Sequence, residues 1–157
     1  MDAEAVLLCE VDGYKEAVER EAVLVERILQ EEGAVQVKIA KDDKERDLLW
    51  LARRSALPAL AQKRPTTVLE DATVPRSKIP DMLKAIRRIA TKHDLQIATF
   101  GHAGDGNLHP TILTDERDLE EMKRVELAVE EIFETAIALG GTLSGEHGIG
   151  TCQNEIS

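Results

Sequence analysis

The sequence predicts an α+β fold, a ferredoxin-like antiparallel sheet with helices packed on one face. Apolar residues recur at helical spacing in several long segments, and short apolar or alternating runs stand between them. One run alternates cleanly, with Val35, Val37 and Ile39 set against Gln36 and Lys38, as in a strand with one face exposed. The elements follow one another as βαβ and then αβαβ, which fits a ferredoxin-like sandwich with an added helix.

Taken in order, Ala5 to Val11 reads as a buried strand ending at Asp12-Gly13. Tyr14 to Glu32 is a helix by Val18, Ala22, Val25 and Leu29, with Gly33 as its C-cap. Val35 to Ile39 is the alternating strand. A helix from about Asp43 is ended or kinked by Pro58. Thr66 to Glu70 is a third strand. Asp81 to about Lys92 is helical, with Ile79, Leu83, Ile86 and Ala90 on one face. Leu95 to Phe100 is a fourth strand. Asp115 to Leu139 is a long amphipathic helix striped by Leu119, Met122, Val125, Val129, Ile132 and Ala136, and Gly140-Gly141 stops it. Thr142 to Ser144 adds a short strand.

The 157 residues suit one domain, and at 43% hydrophobic the chain can bury a core. Its net charge is −10, and its aromatic residues are Tyr14, Trp50, Phe100 and Phe133. That composition lacks both the positive charge and the stacking platforms of a nucleic-acid binder, so no nucleic-acid partner is expected. Cys9 and Cys152 fall outside any C-x-x-C pattern and are expected to be reduced thiols. With no basic leader and no apolar run near the roughly 20 residues that span a bilayer, a soluble cytoplasmic protein is expected.

Chemistry concentrates in Gly101 to His109 and Gly140 to Gly150. These segments hold eight of the ten glycines and three of the four histidines. Glycine lets the backbone bend and ligands approach, and histidine binds metals and carries protons near neutral pH. His102 and His109 are an odd number of residues apart, so a straight strand would point them to opposite faces. A turn at Gly104 and Gly106 would bring them together. Spacing alone leaves two readings, a metal pair or two histidines flanking a turn. Glu146 would complete a two-His, one-carboxylate set with positions open for substrate, and His147 would be the adjacent acid or base. By themselves, Glu146 and His147 read as an exposed polar turn. Asp105 reads as a turn residue or as an orienting partner for a ligating histidine. Asn107 either faces substrate or braces the loop. Arg53, beside Arg54, either clamps a carboxylate or is solvated on a surface helix. His93 reads as exposed and idle. Neither glycine cluster is a phosphate loop, and no G-x-S-x-G elbow occurs.

Four stretches together resemble the C-terminal, substrate-side (cap) domain of FAD-linked oxidases of the vanillyl-alcohol-oxidase type. The branch is that of the glycolate oxidase FAD subunit and the D-lactate dehydrogenases. The stretches are Leu49-Trp50 with Arg53, Glu70-Asp71-Ala72-Thr73-Val74-Pro75, Gly101-His102 through His109-Pro110, and Gly141 through Gly150. The resemblance implies a ferredoxin-like cap over a flavin. It implies that His102, His109 and Glu146 bind a divalent metal (zinc, manganese or iron), that His147 is the catalytic base, and that Arg53 contacts the substrate carboxylate. Asn107 and Thr111 are further substrate-binding candidates, Thr111 by the position of a polar contact in some relatives. The expected organisation is a truncated cap domain over residues 1–150 and an atypical tail over 151–157, with Gln153 where relatives carry lysine. The FAD-binding domain is expected to be absent from this chain and the isolated chain to be inactive.

The expected partners are a small 2-hydroxy acid, an FAD-binding domain or subunit, an iron–sulfur electron-acceptor subunit and a second copy of the chain. Two other classes stay open. A small metal-dependent hydrolase would cleave esters without flavin. A non-catalytic fragment or dimerising module would associate through an exposed apolar sheet face.

Overall fold

A computed structural model describes residues 4–145. The chain divides into two compact units, Met1–Ser55 and Ala56–Ser157. No helix among the described residues is long and apolar enough to cross a membrane.

The first unit contains α1 (Lys15–Glu31) and α2 (Asp43–Arg54). Helix α1 ends in a Schellman motif. The N–H of Ala34 donates to the Leu29 carbonyl at 2.9 Å and that of Gly33 to Gln30 at 3.1 Å. Helix α2 starts at Asp42, whose carboxylate accepts the N–H of Glu45 at 2.8 Å. It stops at Arg54, four residues before Pro58, because the proline ring would clash with that carbonyl and no N–H is there to bond it. A short helix, α3 (Ala56–Ala61), then carries Pro58 in its first turn.

The strands expected at Ala5–Val11 and Val35–Ile39 do not form. Val6 is 78% and Val35 90% exposed, so neither the apolar run at the first nor the alternation at the second marks a buried face. Every ladder among the described residues belongs to the second unit, and a strand without a partner leaves its backbone groups unpaired.

The second unit is built on β1 (Thr66–Leu69), β2 (Ala72–Thr73), β3 (Gln96–His102) and β4 (Asn107–Thr114), with α4 (Ile79–Lys92) and α5 (Leu119–Ala138). The sequence reading missed β4, which is the central strand, antiparallel to all the others. Strands β1 and β2 lie along the same side of β4 in one register, Leu69 opposite Thr111 and Ala72 opposite Leu108. Pro110 explains the gap between them. Its carbonyl accepts the Glu70 N–H at 2.9 Å, but it has no N–H to return, so the ladder lapses over Glu70 and Asp71. An isolated antiparallel bridge, Thr73 to Thr142, adds the start of one more column. The columns therefore run Thr142, β1/β2, β4, β3, which is the strand order of a ferredoxin-like sheet.

Helices α4 and α5 pack on one face of this sheet. Ala72, Leu108 and Ile112 meet Met82, Ile86 and Ile89 of α4 and Val125, Ile132 and Phe133 of α5. Helix α5 begins later than expected because Asp118, not Asp115, caps it, accepting the N–H groups of Glu120 and Glu121 at 3.1 and 3.0 Å. Leu119 consequently falls outside the buried stripe and is exposed. Glu121 pairs with Arg64 at the edge of the core.

Candidate functional site

The face of β4 opposite α4 and α5 carries Asn107, His109 and Thr111. A four-residue turn, 103–106, joins β3 to β4 and sets His102 opposite Asn107 and Phe100 opposite His109. His102 and His109 thus share one face despite their odd separation. Their ring centroids lie 5.5 Å apart, edge-on at 86°. His109 is buried and His102 exposed.

The turn is fixed at both ends. The N–H groups of Asp105 and Gly106 donate to the His102 carbonyl at 3.0 and 2.9 Å. Gly106 has φ +77°, and a Cβ there would run into the Val74 carbonyl oxygen. Its own carbonyl accepts the Val74 N–H at 2.9 Å, tying the turn to the end of β2. Asp105 is an exposed turn residue.

The described part of the second glycine segment, Gly140 to Gly145, folds back onto the same corner. Gly140, with φ +81°, ends α5 in another Schellman motif, its N–H on Ile137 at 2.8 Å and that of Gly141 on Ala136 at 2.9 Å. Thr142 then exchanges two backbone bonds with Thr73, at 2.8 and 3.1 Å. Gly145 comes to rest against Thr73 and Asn107.

Asn107 is 2% exposed, and neither its amide nitrogen nor its oxygen has a hydrogen-bond partner among the described residues. The Thr73 hydroxyl is in the same condition. Buried polar groups left this way cost about 1–3 kcal/mol each, so a further polar partner at this corner is favoured. Thr111 is fully buried, and its hydroxyl donates to the His109 carbonyl at 3.4 Å. Arg53 is half-buried in the last turn of α2, in the other unit. Glu146 and His147 lie outside the described residues, one and two positions past Gly145. His93, expected to be idle, is half-buried, with its Nε2 on Glu131 at 2.9 Å.

At metal–nitrogen distances of about 2.0–2.1 Å, two imidazoles on one tetrahedral ion have centroids roughly 5 Å apart. No group of three potential ligands occurs among the described residues. Sequence reasoning passed over Asp71 and Thr73 as individual residues. The available signal was an aspartate between two strand-forming runs, where a buried carboxylate is uncommon.

Fold and corner together define an α+β domain that presents paired imidazoles and a buried amide on the sheet face opposite α4 and α5. The model of the FAD linked oxidases, C-terminal domain, matches residues 1–156, and the chain belongs to this family. It is 60% identical to the glycolate oxidase subunit GlcD of Bacillus subtilis over 94% of this chain and 32% of that protein. It is 42% identical to the Escherichia coli K12 subunit of the same name over 96% of this chain and 30% of that one. A D-lactate dehydrogenase of Archaeoglobus fulgidus is 34% identical over 95% of this chain and 31% of its own length. The chain thus spans about a third of the length of these relatives. They fall in the branch that the sequence motifs resemble.

Proposed function

We propose that this chain is the substrate- and metal-binding portion of a flavin-dependent 2-hydroxy-acid dehydrogenase of the glycolate or D-lactate type. The observation that carries the reading is the edge-on pairing of His102 and His109 beside the buried amide of Asn107, which has no partner among the described residues, in a chain of this family. Residues 1–150 act as the cap domain. The partners are an FAD-binding domain or subunit, an iron–sulfur electron-acceptor subunit and a second copy of the chain, and the compartment is the cytoplasm.

A divalent ion (zinc, manganese or iron) held by His102, His109 and Glu146 would, when bound, lower the pKa of the substrate hydroxyl. FAD, held mainly outside these residues, would supply the acceptor for the hydride. The residues of this chain do the rest. Arg53 pairs with the substrate carboxylate and fixes which way the C2–H bond points. The Asn107 amide and, beyond His109 on the same face, the Thr111 hydroxyl give polar contacts to the bound acid. His147 takes the hydroxyl proton on an imidazole nitrogen as the C2–H electron pair leaves and the C=O bond of the 2-oxo acid forms.

The test is His147→Ala in the flavin-loaded enzyme that contains this domain. Turnover of glycolate and D-lactate at saturating substrate is expected to fall by about 10²- to 10⁴-fold. Unchanged turnover on both would remove His147 as the base.

A further inference from the structure

Thr73 and Asn107 stand opposite each other on β2 and β4, in the same cross-strand row as His102 on β3. Both present buried polar atoms that have no hydrogen-bond partner among the described residues, the Thr73 hydroxyl and both ends of the Asn107 amide. Gly145 lies over them. It is held there by Asp71, a carboxylate only 3% exposed. Asp71 Oδ2 accepts the Gly145 N–H at 3.0 Å and the Ser144 hydroxyl at 3.3 Å. The Gly145 N–H is thus committed to Asp71 and gives nothing to Thr73 or Asn107.

Folding gains nothing from this arrangement at Thr73. Valine has nearly the same shape, suits a strand as well, and has no hydroxyl to leave unbonded. A buried hydroxyl without a partner calls for a specific explanation. Its place beside the imidazole pair points to a ligand. The two donors also converge. A Cβ on Gly145 would strike the Thr73 hydroxyl and come within 2.9 Å of the Asn107 amide nitrogen. One atom near that spot therefore touches both. A hydroxyl O–H and an amide N–H aimed at one atom call for an oxygen that only accepts, as in a carboxylate.

We infer that Thr73 is a substrate-contacting residue which, with the Asn107 amide nitrogen, holds a carboxylate oxygen of the bound 2-hydroxy acid, the Ser144–Gly145 backbone drawing back to admit it. The inference rests on the substrate reading proposed above. It adds a residue to that reading and assigns the Asn107 amide nitrogen its ligand atom.

The flavin-loaded enzyme that contains this domain tests it. Thr73→Val should raise KM for glycolate and D-lactate about 10-fold, as for one lost hydrogen bond to a charged group, and leave kcat within about twofold. Thr73→Ser keeps the hydroxyl and should hold KM within about twofold of the parent. Gly145→Ala puts a methyl group where the oxygen would sit, and should raise KM at least as much as Thr73→Val. Without substrate, the urea midpoint of Thr73→Val should equal or exceed that of the parent, because a hydroxyl with nothing to bond contributes no stability.

A lower midpoint for Thr73→Val, or its failure to fold, means that the hydroxyl is bonded within the fold and overturns the inference. So does a parent-like KM in Thr73→Val, or a raised KM that Thr73→Ser shares. Asn107→Ala separates the two levels. If it raises KM while Thr73→Val does not, the corner still binds substrate and only the role of Thr73 falls. If the parent enzyme turns over neither acid, the substrate reading fails and the inference fails with it.

Discussion

Glu131 receives two bonds on one carboxylate oxygen, from Lys92 Nζ at 2.7 Å and His93 Nε2 at 2.9 Å. The Lys92 bond first, then the His93 bond, hold its carboxyl below the ordinary glutamate range. A depressed folded-state pKa means stabilisation that is complete above the unfolded value and is lost as pH falls through the folded one. Glu131→Gln should therefore flatten the acid limb of the melting-temperature profile in that window. Parallel losses in variant and parent as pH drops would show that the pair contributes nothing there. His93 was unreadable in this role because its partner lies 38 residues away on another helix. The same limit applies to Asp71. By contrast, His102 and His109 stand out in the sequence as residue types, but their convergence depends on the register of a hairpin. An odd spacing cannot reveal that register until the turn length is known.

The hairpin stands or falls on Gly106. Its positive φ and the Val74 carbonyl at its back leave no room for a side chain. Gly106→Ala is expected to lower unfolding free energy by about 1–3 kcal/mol in urea titration, and an unchanged midpoint would mean that the turn adapts. The helices were largely legible, because apolar spacing and caps are local properties. Strand β4 was not legible, since Pro110 argues against a central strand and a glycine-rich lead-in looks like loop. The structure accommodates the proline by giving up the β1–β2 ladder at that point. Val35 to Ile39 shows the opposite failure. A clean alternation predicts a strand only when a partner strand exists, and the pattern carries no information about the partner.

At the scale of the whole molecule, the α+β class with an antiparallel sheet and helices on one face emerges as expected, but it is assembled from fewer segments. Among the described residues all four strands come from the second unit, and the sheet gains its last column through Thr142. The composition was informative because charge and hydrophobic fraction need no knowledge of contacts. The corner where the glycine segments meet has a consequence for the order of folding. The β3–β4 hairpin closes over a handful of residues, and such hairpins form in about 1–10 μs. The Asp71–Ser144 closure spans 73 residues and must wait for nearly all of the sheet and both its helices. In pulse-labelled refolding, the Gly145 amide should become protected after the hairpin amides, and simultaneous protection would refute that sequence of events. On the ribosome the two histidines can pair while the chain is still emerging. The Ser144–Gly145 segment can join them only after both helices of the sheet have been made, so the imidazole pair forms first and the corner is sealed last.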